Sequence, residues 1–118
     1  GAYIYLSRAG VYTKYDRDIN ELSSASCIYK VRDICIVLVD NNKWRKQKAL
    51  SPLHVDYAYI CRGFYGSVAD LKRLFQIKQV VLDTSLEDSY REKLKRECEI
   101  YGLNYIDMSE KGSYAILL

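Results

Sequence analysis

One histidine, His54, and one proline, Pro52, stand in a chain of 118 residues. The shortage of histidine excludes most. A catalytic zinc site takes three protein ligands, typically built on several histidines, and Ser-His-Asp chemistry needs a base beside its nucleophile. Neither can be assembled around His54, whose place just after Pro52 at a strand entrance marks it as a surface or hydrogen-bonded structural residue. Cysteine is present but never as C-x-x-C: Cys27, Cys35, Cys61 and Cys98 are scattered through apolar segments. They read as small buried thiols rather than zinc ligands, although the spacing also allows a Cys27–Cys35 disulfide. No run approaches the roughly 20 apolar residues of a membrane-spanning helix, and no signal-peptide pattern opens the chain. A strong charge of one sign is missing too. The net charge of +3 permits an acidic partner without demanding one, unlike the basic footprint of a dedicated nucleic-acid domain.

What is present suits a single soluble domain, residues 1–118, with one core: 49% of residues are apolar and 28% charged, ordinary for a globular protein. Tyrosine is abundant, at 12 against two Phe and one Trp, and favours half-buried strand faces over stacking surfaces. Apolar alternation predicts short strands over 2–6 and 11–15 with a turn at Ala9-Gly10, then a polar connection, "YDRDINELSSAS". Strands follow over 27–31 and 34–39, the latter ("ICIVLV") a β-branched run suited to burial on both faces. Beyond the basic segment "KWRKQK", strands at 54–61 and 79–83 alternate with helices. The first helix, 67–75, has Ser67 as N-cap and Asp70 three residues on. The second, 87–101, is preceded by Ser85 as cap, carries an apolar stripe of Leu86, Tyr90, Leu94, Cys98 and Tyr101, and stops at Gly102. Glu92 and Arg96 form an i,i+4 pair on its solvated face. Strands at 104–109 and 114–118 close the chain. This order predicts an α/β (α+β) domain, a layered mixed β-sheet with two main helices.

In open α/β sheets, ligands gather beyond the carboxyl ends of the strands. Three such ends carry polar residues: Asp40, Arg62 and Asp83. Facing the helix N-terminus at Ser67, they could hold a metal or a phosphate; the simpler reading is that aspartate ends strands because it favours turns. Cys61 has an arginine neighbour but no positioned base, so a buried strand thiol fits it best. In Lys43, Trp44, Arg45, Lys46 and Lys48, four cations flank a tryptophan, the pairing with which single-strand binding loops meet phosphates and stack on bases. Taken alone, the segment is better read as a basic loop whose Trp44 folds back onto the core.

The segments "VDYAYICRGFYGSVADLKRLFQIKQVVLDTSLEDSYREKLKREC" and "GLNYIDMSEKGSYAIL" resemble the C-terminal region of the ComEC family of DNA-internalisation competence proteins, in the form found in Bacteroides-like bacteria. The resemblance covers Cys27 to Leu118. Many relatives carry a metallo-β-lactamase-like domain with a "TGD" aspartate, a position matched by Asp40, and an "HHGS" turn. Here that turn is "RGFYGS", in which Gly66 and Ser67 remain and both histidines are gone. The resemblance therefore implies a truncated, half-sized metallo-β-lactamase-like fold with a remnant site at Asp40, Arg62, Gly63, Gly66 and Ser67, and with no catalytic residue, metal or cofactor. It implies a non-catalytic accessory domain of an inner-membrane DNA-uptake protein, on the periplasmic face, with single-stranded DNA and the parent membrane channel as partners. A structural or protein-interaction module is the alternative, and a metal-dependent nuclease a distant third. Oligomeric state stays open, because edge strands could pair between copies.

Overall fold

A computed structural model of the chain describes residues 3–7, 10–13, 19–23, 28–45, 49–111 and 115–117, with side chains over 28–45 and 49–110. The strands are β1 (Tyr3–Ser7), β2 (Gly10–Thr13), β3 (Ile19–Ser23), β4 (Ile28–Val31), β5 (Ile34–Val39), β6 (Leu53–Ile60), β7 (Phe75–Leu82), β8 (Asn104–Asp107) and β9 (Ala115–Leu117). The helices are α1 (Val68–Lys72), α2 (Asp88–Ile100) and the one-turn α3 (Met108–Lys111). A six-stranded sheet runs β3-β4-β5-β6-β7-β8 and a three-stranded sheet runs β2-β1-β9. The first is mixed, as predicted. Strands β3, β4 and β5 pair antiparallel, whereas β5, β6, β7 and β8 are parallel neighbours.

The parallel strands advance in one direction, so right-handed crossovers must all pass over the same face. That face carries the larger core: Val37, Val39, Ala58, Ile60, Val80 and Leu82 from the sheet meet Val68 and Leu71 of α1 and Leu94 and Cys98 of α2. The opposite face buries Ile36, Leu38, Tyr59 and Val81 with Met108 of α3. Strand β5 is thus buried on both faces, as its unbroken β-branched run requires. Among the described residues of the β5–β6 crossover there is no α-helix, only a 3-10 turn at Asn42–Trp44, and Trp44 fills the place a helix would occupy.

Several element boundaries differ from the sequence reading. The segment read as a polar connection contains β3, paired to β4 through a register shift; its mixed composition hides an edge strand. Helix α1 ends at Lys72, and Phe75, read as its last residue, opens β7. Phe75 and Ile77 are buried while Gln76 and Lys78 are exposed, the period-2 pattern of a strand. Strand β8 stops at Asp107, where Met108 starts α3. In α2, Glu87 and not Ser85 holds the N-cap position, Tyr101 is exposed, and Glu92 pairs with Lys95 instead of Arg96. Gly102 stops the helix at φ +68°, a left-handed position that glycine adopts without strain. Cys35 and Cys98 are free thiols, Cys61 is fully buried at the end of β6, and burial raises the Cys98 pKa to about 11. Cys27 lies outside the described residues.

Candidate functional site

The parallel register brings four strand ends to one edge. Val39 is level with Ile60, Ile60 with Leu82 and Leu82 with Asp107. Asp40, Arg62, Asp83 and Asp107 consequently lie along the carboxyl edge of the sheet. The first three were expected there and Asp107 was missed, because the strand was read through to Ser109.

Gly63 builds the turn that links this edge together. Its φ is +114°, and a Cβ placed on it would sit 2.1 Å from the Asp40 carbonyl oxygen. Only glycine lets the β6–α1 turn lie this close to the end of β5. Gly66 is confined as well, by the Phe64 ring and an Asp70 carboxylate oxygen. Side chains complete the link: Tyr65 N donates to Asn42 Oδ1 at 2.8 Å, Arg62 N donates to Ser85 Oγ at 3.0 Å, and the Tyr90 hydroxyl donates to the Gly66 carbonyl. The loops after β5, β6 and β7 form one connected unit, seated on the fully buried Phe64.

A cavity of about 250 Å³ opens where this unit meets the start of α2, lined by Arg62, Phe64, Tyr65, Leu86, Glu87 and Tyr90, with Ser85 beside them. Tyr65 is 59% exposed, and its ring lies 6.3 Å from that of Tyr90, tilted by 49°. Burial and then the Glu97 charge push the Tyr90 phenol well above the usual tyrosine range, while the Arg45 cation opposes them. Arg45 directly follows the Asn42–Trp44 turn, whose Asn42 also holds Tyr65. Arg91 fixes the far wall from within: it donates to the Leu86 carbonyl at 2.6 Å and the Thr84 carbonyl at 3.3 Å, and pairs with Asp88 at 2.8 Å. A charged residue in so charged a helix is expected on the solvated face, yet Arg91 is buried. The signal was there, because Arg91 stands three residues before Leu94 and seven before Cys98, on the same helical face.

The carboxylates of the edge are already engaged. Asp83 accepts from the Tyr59 hydroxyl and from Ser85 N at 3.0 Å. Asp40 accepts from Asn41 Nδ2 at 3.2 Å. Asp107 pairs with Lys95 at 2.6 Å and accepts from Ser109 Oγ at 2.6 Å. Burial alone would raise its pKa, but the hydrogen bonds from Lys95 and Ser109 prevail and lower it; the same contact with Asp107 raises the pKa of Lys95. His54 sits at the opposite end of β6, 62% exposed and 3.6 Å from Asp56. Among the described residues, no three His, Cys, Asp or Glu side chains form a group that could hold a metal ion.

Of the basic segment, Arg45 is exposed and Lys43 half-buried, with the Lys43 Nζ 4.6 Å from the Trp44 ring centre. Trp44 itself is 5% exposed and packs edge-on against Phe75 at 5.4 Å. A base cannot stack on a ring so placed; the exposed ring at this edge is that of Tyr65. Lys46 and Lys48 lie outside the described residues. Ser67 forms a capping box: its Oγ accepts from Asp70 N at 3.2 Å and Asp70 accepts from Ser67 N at 3.0 Å. Glu97 takes the Val68 N–H at 2.7 Å, which sets a carboxylate where an anion was expected to bind.

The family model for the ComEC C-terminal domain matches residues 3–118. The chain belongs to the ComEC C-terminal domain family. Membership gives it the context of a competence protein for DNA uptake, in a family of membrane proteins. Among the described residues of this ComEC domain, no helix is long and apolar enough to cross a membrane. No curated protein and no solved structure matches the chain.

Proposed function

We propose that the chain is a non-catalytic accessory domain of its competence protein, which guides single-stranded DNA past the carboxyl edge of the sheet, beside the membrane channel and on its periplasmic face. The observation that carries this reading is the grouping of exposed Tyr65, Arg62 and Arg45 on one loop unit, fastened by the Tyr65–Asn42 hydrogen bond. An aromatic ring between cations suits a flexible strand of either orientation, because every base has a face to stack and every nucleotide a phosphate. The absence of catalysis is supported by the committed state of Asp40, Asp83 and Asp107, whose oxygens accept from neighbours in the fold. The reading is tested by titrating a labelled oligothymidine. Tyr65→Ala should weaken binding by about 1–3 kcal/mol, whereas Trp44→Phe, which alters a buried ring, should leave it unchanged.

A second reading, a protein-interaction module, draws on the other end of the molecule. Leu50 is fully exposed, Ile100 is 77% exposed and Tyr101 is 42% exposed. Tyr101 lies under Lys72, while Ala49 bonds the Arg73 carbonyl, so these apolar groups border the end of α1. Loss of binding to a fragment of the parent protein on Leu50→Ser, with oligonucleotide binding intact, would favour this role.

A further inference from the structure

We infer that the cavity between the Arg62–Ser67 turn and the start of α2 holds a single unstacked nucleobase of the guided strand and prefers guanine, an inference that rests on the single-strand reading above. Its volume, about 250 Å³, falls below the roughly 300–1,000 Å³ of pockets for drug-sized ligands, which suits one ring system. Phe64 and Leu86 give it an apolar floor, and the tilted pair Tyr65 and Tyr90 gives aromatic walls. Such walls accept any base. The Tyr90 hydroxyl proton is spent on the Gly66 carbonyl, and the Ser85 Oγ, which accepts the Arg62 N–H, keeps one proton to donate.

That leaves two charged side chains, Arg62 and Glu87. Both are exposed, and neither guanidinium nor carboxylate bonds to another described residue. Arg62 provides the cation for the phosphate of the inserted nucleotide. Glu87 provides an acceptor-only group with two oxygens. The guanine Watson–Crick edge offers two donors side by side, the ring N1–H and the exocyclic amino group, which a carboxylate can engage together. Adenine and cytosine present one amino group beside an acceptor. Thymine presents one N–H flanked by two carbonyls, which repel the carboxylate. A site that reads a base through paired donors rejects the analogue lacking them, because its polar group is then left unpaired. Guanine should therefore bind best and thymine worst.

The test is fluorescence anisotropy of the full 118-residue chain with the labelled pentamers d(TTGTT) and d(TTTTT), for wild type and Glu87→Gln. The variant removes the charge at an exposed side chain, and its fold is checked by circular dichroism. Wild type should bind d(TTGTT) roughly tenfold more tightly than d(TTTTT), the scale of one bidentate base contact. Glu87→Gln should abolish that ratio. Equal binding of both pentamers by wild type overturns the guanine pocket but leaves the single-strand reading standing. A preference that survives in Glu87→Gln overturns the role of the carboxylate. Binding of neither pentamer at low salt overturns both the pocket and the reading beneath it.

Discussion

Replacing Gly63 by alanine should destabilise the domain far more than the same change at Gly102, although both glycines have positive φ. At Gly102, φ is +68° and an added Cβ meets nothing within 4 Å; only the left-handed backbone is penalised, at about 1–2 kcal/mol. At Gly63, φ is +114° and the Cβ would stand 2.1 Å from the Asp40 carbonyl oxygen, well short of the contact optimum of about 3.5 Å. Retreat is hindered on both sides. Cys61 N is bonded to the Val39 carbonyl at 2.9 Å, and Tyr65 N holds Asn42 at 2.8 Å. Backbone strain of about 1–3 kcal/mol and overpacking of about 1–3 kcal/mol then add to roughly 2–6 kcal/mol. Urea denaturation followed by Trp44 fluorescence measures both variants, since Trp44 is the only tryptophan and is buried beside this turn. If Gly63→Ala costs within about 0.5 kcal/mol of Gly102→Ala, the range of ordinary surface changes, the turn is not held against β5 as described.

Leu94 is fully buried in the helix-side core, so Leu94→Ala should cost about 2–5 kcal/mol by denaturation; a change below about 0.5 kcal/mol would place that face of α2 outside the core. Asp107 has a lowered folded-state pKa, so its stabilising contribution is complete above the ordinary aspartate range and disappears as pH falls through the folded value. Asp107→Asn should be less stable than wild type at neutral pH and should flatten the acid limb of a stability–pH curve; parallel acid limbs for the two proteins would contradict the Lys95–Asp107 pairing.

Much of the sheet was legible because its strands are strongly patterned. The run at 34–39 could hardly be anything other than a doubly buried strand, and Ser67 with Asp70 announced the start of α1. Strand β3 was not legible, since Ile19-Asn20-Glu21-Leu22-Ser23 carries too few apolar residues to stand out from a polar linker. At the candidate site, the carboxyl-edge positions of Asp40 and Arg62 followed from strand ends alone. The folding of Trp44 onto the core was read from the basic loop, and the handedness of the β5–β6 crossover puts it on the helical face of the sheet. The exposure of Tyr65 was not legible, because it depends on the turn that Gly63 and Gly66 allow. Composition made Trp44 conspicuous as the sole tryptophan, whereas Tyr65 was one of 12 tyrosines. Arg91 escaped for a related reason: charged residues on a helix are usually solvated, and its burial depends on carbonyls supplied by the loop before α2.

The central claim is that cations and an exposed tyrosine at the carboxyl edge of the sheet hold single-stranded DNA. It is tested most directly by the salt dependence of oligothymidine binding to wild type and to an Arg45→Ala/Arg62→Ala double variant. Each phosphate contact contributes about −0.7 to the slope of log affinity against log salt for single strands. The account predicts measurable wild-type binding at low salt and a slope shallower by about 1.4 in the variant, the sum of two such contacts. No binding by wild type at low salt, or the same slope and affinity in both proteins, would contradict it.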